Sequence, residues 1–181
     1  LGIGVNTSVF TVVYGVLLRP LPFAHGERIV TVWAENRAQN EQHAGLTFGD
    51  VAALESSGAF EVVGGYSGRN FALTDGEQSE RVQGSSVTPG LFDILGVKPA
   101  MGRAFTPAEA AAAGFEQVVV LSDVLWKRRF GGDPQIIGKT VRVNDRALTV
   151  VGVMPEGFQF PARDEIWLPL GKPVGANAEA A

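Results

Sequence analysis

The chain has 181 residues, a formal net charge of −4, 45% hydrophobic and 19% charged residues, and no cysteine. That balance describes a folded chain long enough for one domain or two small ones. It excludes disulfides, thiolate catalysis and zinc–thiolate sites, and the negative charge gives no reason to propose a nucleic-acid partner.

Residues 1–18, LGIGVNTSVFTVVYGVLL, carry no charge. As a helix they would be about 27 Å long, close to the hydrocarbon thickness of a bilayer. Gly2, Gly4, Ser8 and Gly15 would let a second helix approach closely. The segment reads as the end of a transmembrane helix. The adjacent polar residues Asn6, Thr7 and Ser8 keep a buried core helix or an interfacial helix as the competing reading. A signal peptide fits less well, because no basic region precedes the run and no clear small-x-small site follows it. Arg19-Pro20-Leu21-Pro22-Phe23 ends the helix, since two prolines cannot continue it. Arg19 by itself favours the cytoplasmic side for this end.

Arg28 to Trp33 (RIVTVW) alternates like a strand, and residues 35–45 are polar and read as loop. Thr47 caps a helix running to about Ser56, with Phe48, Val51, Ala52 and Leu54 as its apolar residues. Phe60 to Tyr66 is a strand candidate. Asn70 to Thr74 and Glu80 to Val87 pair around Asp75-Gly76, a hairpin signal. Thr88 caps a short helix that turns Leu91, Phe92 and Leu95 inward and stops at Gly96. Gly102 to Phe105 is loop, and Thr106-Pro107 starts an alanine-rich helix.

The sharpest segment is 117–155. Val118 to Leu121 is a short apolar run of strand length. Ser122 caps a helix in which Leu125, Trp126 and Phe130 share one face while Lys127, Arg128 and Arg129 lie mostly on the other. Gly131-Gly132 stops it. Thr140 to Val143 turns Val141 and Val143 in and Arg142 out, Asn144-Asp145 makes a tight turn, and Ala147 to Val153 returns until Pro155. Phe158-Gln159-Phe160-Pro161 is a loop with apolar anchors. Glu165 to Leu170 is a last strand, and the tail after Gly171 reads as unstructured. The chain opens at Leu1 without Met and closes in Ala178-Glu179-Ala180-Ala181, so both ends read as cuts in something longer. The many turns, with 23 Gly and 10 Pro, suit a β-rich or α+β domain.

The search for chemistry is negative, and no catalytic, cofactor-binding or metal-ligating residue is assigned. Gly138-Lys139-Thr140 looks like the end of a phosphate loop. However, Gly132 stands five residues before Gly138, Pro134 removes a backbone donor, and a strand pattern follows Thr140. Leu1-Gly2-Ile3-Gly4 has Thr7 where a dinucleotide fingerprint needs glycine. His25 and His43 lie in loops without metal-ligand spacing. Ser67 and Ser86 lack the second glycine of a hydrolase elbow. The carboxylates of Asp164 and Glu165 should point to opposite faces. Lys127-Arg128-Arg129 reads as a solvated helix face, and Trp33, Trp126 and Trp167 as packing rather than a ligand wall.

Four segments carry a family resemblance: LGIGVNTSVFTVVYGVLLRPLPF, VTPGLFDILGVKPAMGRAF, VVVLSDVLWKRRFGGDPQIIGKTVRVNDRALTVVGVMPEGFQFP and DEIWLPL. Across residues 1–170 the chain resembles the extracytoplasmic core domain of MacB-type ABC transporter permeases, within the FtsX-like permease superfamily, and the large acidobacterial-type group above all. Asn144-Asp145 departs from the Asn-Gly or Asp-Gly usual there. The resemblance implies an α+β fold with a porter-like α/β subdomain and a β-rich inserted subdomain, preceded by the end of a transmembrane helix. Residues 1–18 would be that helix end, 19–100 the porter-like part, 101–170 the insert and 171–181 an unstructured tail. Against the single charge of Arg19, the resemblance implies that residues after 18 face outward.

It further implies a non-enzymatic, cofactor-free extracytoplasmic domain on the periplasmic side of the inner membrane. That domain would belong to an export or mechanotransmission permease. Its partners would be the membrane, a cytoplasmic ABC ATPase that supplies the nucleotide site, a second permease copy and a periplasmic protein. The alternative is a ligand- or partner-binding module that transmits no force; a soluble enzyme is third.

Overall fold

The structure, a computed structural model, describes residues 26–36, 41–75, 78–111 and 117–171. The helix expected over residues 1–18, the break at Pro20 and Pro22, His25, the turn residue Gly76 and the tail from 172 lie outside them. Among the described residues no helix is long and apolar enough to cross a membrane. The fold is α+β. A 3₁₀ turn, Gly26–Arg28, leads to a small hairpin of β1 (Ala34–Asn36) and β2 (Glu41–Ala44), then to α1 (Phe48–Ser56). Thr47 and Asp50 form a reciprocal capping box at the start of α1.

The main body is one mixed sheet. β3 (Tyr66–Asp75) and β4 (Gln78–Val87) pair antiparallel from Tyr66 against Val87 to Asp75 against Gln78. After α2 (Leu91–Ile94), β5 (Met101–Gly102) and α3 (Pro107–Ala111) come β6 (Val118–Leu121), α4 (Asp123–Phe130), β7 (Thr140–Val143), β8 (Arg146–Val153) and β9 (Ile166–Pro169). β4 pairs with β9, β9 with β6, β6 with β8, β8 with β7, and β7 with β3. The pairings return to their start, so β3, β4, β9, β6, β8 and β7 close a barrel. β5 extends the edge of β8 where β7 has left it.

Closure explains the hydrophobic pattern. Alternate residues point into the barrel: Phe71, Leu73, Val82, Val141, Val143 and Ile166 lie in one core, which Leu125 of α4 and Ile136 help to fill. The other parity of one half of the wall faces a second core. There Val87, Val118, Val120 and Trp167 meet Leu91, Phe92 and Leu95 from α2 and its C-terminal end. β6 is apolar at every position because it sits between the two cores, with all four residues buried.

The segment 117–155 folds as read. The Ser122 hydroxyl accepts from Leu125 N at 3.0 Å, and Gly131 closes α4 in the left-handed conformation at φ 62°. Asn144 and Asp145 both adopt positive φ, 48° and 61°, which settles the turn as a two-residue hairpin of left-handed residues. Asn144 also clips the hairpin to β3. Its Oδ1 accepts from Ala72 N, and its own N–H donates to Ala72 O, both at 2.8 Å.

Several expectations are corrected. Residues 29–33 are not a strand, and the short β1 follows them. Val30 and Trp33 are 64% and 48% exposed, and no ladder partner lies beside them among the described residues. Alternation makes a strand only where a neighbour satisfies its N–H and C=O groups. Within 35–45, taken as loop, β1 and β2 pair instead. Phe60 to Gly65 is irregular, and the strand begins at Tyr66. Thr88 does not cap α2 with its side chain; its hydroxyl accepts from Gly65 N at 3.0 Å, and Gly90 holds the cap position. Met101–Gly102 is paired with β8, where loop was expected. Gly102 has φ 73°, and a Cβ there would lie 2.1 Å from the Val151 carbonyl oxygen, so only glycine fits.

Candidate functional site

The described surface holds a shallow depression of about 270 Å³ beside the start of α4. Ser122, Asp123 and Val124 form one side, and Phe158, Arg163 and Asp164 contribute to the other. The Ser122 cap fixes the first side, and the aromatic contacts of Phe158 with Trp167 (5.4 Å) and Phe92 (6.0 Å) hold the second.

Asp164 is 4% exposed and accepts from the fully buried Ser85 hydroxyl at 2.5 Å. Burial raises its pKa above 3.8, and the Ser85 hydrogen bond only partly offsets this. Burial, then the Asp164 charge, raises Tyr66 above its ordinary 10.0. Ser85 has no exposed surface, and Asp164 lies between it and the depression. Glu165 turns the other way, as expected, and binds Arg128 at 2.7 Å.

The cationic face of α4 differs from a simple solvated one. Arg128 joins Glu165 to Glu80 of β4, and Lys127 pairs with Asp123 at 3.0 Å and Glu156 at 3.7 Å. The Glu165 hydrogen bond is the main reason the Arg128 pKa is raised. Lys139 of the Gly138-Lys139-Thr140 sequence is bound by Asp133, and Thr140 opens a strand. The tryptophans lie apart: Trp167 is buried in the outer core, Trp126 packs on the barrel core and Trp33 is half-exposed. His43 lies in β2. Among the described residues no group of three His, Cys, Asp or Glu could hold a metal ion.

Two buried acids escaped the sequence reading. Asp164 meets Ser85 from 79 positions away, and nothing local signals it. Glu109 did carry a signal, since Thr106-x-x-Glu109 has capping-box spacing. Glu109 accepts from Thr106 N at 2.7 Å and from both terminal nitrogens of Arg103, at 2.6 and 3.0 Å. Burial opposes its charge, but the Arg103 and Thr106 hydrogen bonds and the Arg103 charge outweigh burial and hold its pKa below 4.5.

Fold and surface define the class: an α+β domain on a closed mixed barrel, with one buried acid hydrogen-bonded to Ser85 and the other paired with Arg103. The family is narrower. The MacB-like periplasmic core domain matches residues 1–179, and the chain belongs to that family, a domain of ABC transporter permeases. Among solved structures it is similar to the periplasmic region of MacB from Actinobacillus actinomycetemcomitans. That match has 23% identity and a TM-score of 0.60, over 76% of this chain and 61% of that one. It is also similar to the extracellular domain of the noncanonic ABC-type transporter YknZ from Gram-positive bacteria. There the identity is 19% and the TM-score 0.58, over 68% of this chain and 62% of that one. The chain therefore spans about three fifths of those domains. No curated protein matches it.

Proposed function

We propose that this domain is the outer, non-catalytic part of an ABC-type export or mechanotransmission permease. In this reading it carries motion driven by cytoplasmic ATP hydrolysis to the far side of the inner membrane. Residues 1–18 anchor it there, a second permease copy and a cytoplasmic ATPase complete the transporter, and a periplasmic protein meets its outer surface. Residues 19–100 are the porter-like part and 101–170 the insert. The observation that carries the reading is the family match over residues 1–179. Barrel closure supports it physically. Each ring strand is bonded on both sides, so a load on any one is shared by two neighbours. Arg128 adds a cross-tie between β4 and the approach to β9.

The test uses the full-length permease with its ATPase in nanodiscs. These 181 residues contain no cysteine, so once any cysteines elsewhere in the permease and its ATPase are replaced, Ser79→Cys gives one spin label on each barrel. The inter-barrel distance should change between nucleotide-free and vanadate-trapped states. An unchanged distance with normal ATP turnover would remove the lever reading. The depression beside α4 would then favour the alternative, a ligand-binding module without force transmission.

A further inference from the structure

Half of the barrel wall is covered by the outer core, and among the described residues no core cluster covers the other half. On that half, formed by β4, β3 and β7, strand alternation turns Asn70, Thr74, Ser79, Arg81, Gln83 and Arg142 outward. All are exposed except Thr74, which is half-buried. The outward positions of these three strands include no Asp, Glu or Lys, in a chain whose net charge is −4. Arg81 and Arg142 form no ion pair among the described residues, whereas Arg28, Arg103, Lys127, Arg128 and Lys139 are all paired. Arginine without lysine or carboxylates is the composition of an interface rather than of a solvated wall.

We propose that this wall is a docking surface for an acidic protein segment. Arg81 lies opposite Ala72, and Arg142 lies opposite Thr74, on the two flanks of β3. Two strand spacings and a two-residue stagger put their Cα atoms roughly 12 Å apart. That spacing suits a polypeptide offering one carboxylate to each guanidinium fork, with the neighbouring hydroxyls and amides completing the hydrogen bonds.

The experiment titrates a decaglutamate peptide onto the 181-residue chain at low salt. Arg81→Ala and Arg142→Ala should each weaken binding about threefold, in keeping with exposed ion pairs. The double variant should approach the product of the two. Arg28→Ala removes an exposed arginine beside the outer core, away from this wall, and should leave binding unchanged. Arg81→Lys and Arg142→Lys should recover only part of the loss, because lysine restores charge but not the fork. Thermal midpoints close to wild type confirm that the variants are folded. Equal weakening by Arg28→Ala, or no effect of either wall arginine, overturns the proposal. So does arginine-dependent binding to phosphatidylglycerol vesicles without binding to the peptide, which would make the wall a lipid contact.

Discussion

Trp126 tests whether α4 is held by packing. Its ring packs on the end of the barrel core, and its indole N–H donates to the Asp133 carbonyl at 2.9 Å. A fully buried tryptophan costs about 3–5 kcal/mol when cut to alanine. Trp126 is only half-buried, so the packing share falls to about 2 kcal/mol on the same scale. Loss of the indole hydrogen bond adds about 0.5–1 kcal/mol, because water can reach the abandoned carbonyl. Trp126→Ala should therefore cost about 2–3 kcal/mol, and Trp126→Phe, which keeps most of the contact, about 1 kcal/mol. The exposed neighbour Lys127 makes surface ion pairs, and Lys127→Ala should leave the midpoint close to that of wild type. Urea denaturation of the 181-residue chain, followed by far-UV circular dichroism, reads all three. Equal midpoints for Trp126→Ala and wild type would refute the reasoning and make the ring a candidate partner contact.

Glu109→Gln should destabilise the chain at pH 7 by about 1–2 kcal/mol, by weakening the clamp on the half-exposed Arg103. Because the folded pKa of Glu109 is lowered, wild type loses this stability as pH falls through that value, so thermal midpoints of the two proteins should converge in acid. Asp145→Gly should raise stability by about 0.5–1 kcal/mol, since glycine takes the φ of 61° without steric cost; a lower melting temperature would show that the Asp145 side chain supports the turn.

What was legible followed locality. From Val118 to Val153 each element is set by neighbours a few positions away: a serine cap, a glycine stop, alternation in β7 and a turn of two αL-tolerant residues. Residues 28–33 misled because alternation reports which face wants burial, not whether a partner strand exists. Closure of the barrel was invisible for the same reason. It depends on Leu73 meeting Val143 and Gly84 meeting Ile166, contacts that no short window contains. The opposite facing of Asp164 and Glu165 was legible from alternation, but the partner of Asp164 was not.

That partner gives Asp164 a pH signature of opposite sign to Glu109. An aspartate whose folded pKa is raised holds its proton more tightly folded than unfolded. Below 3.8 it is protonated in both states and carries no charge-burial cost. Above its raised folded pKa it is charged in both states, and the folded state bears the whole cost. Between those limits Asp164 makes the folded chain less stable as pH rises. Asp164→Asn keeps an acceptor for the Ser85 hydroxyl and removes the charge. The variant's melting temperature, relative to wild type, should therefore be higher at pH 7 than at pH 3. The other titrating groups, among them Glu109, Asp133 and Asp50, are common to both proteins and cancel in the comparison. A difference that does not move with pH would show that the Asp164 carboxylate is effectively hydrated. A difference that grows toward acid would show instead that the ionised form is the one the fold stabilises.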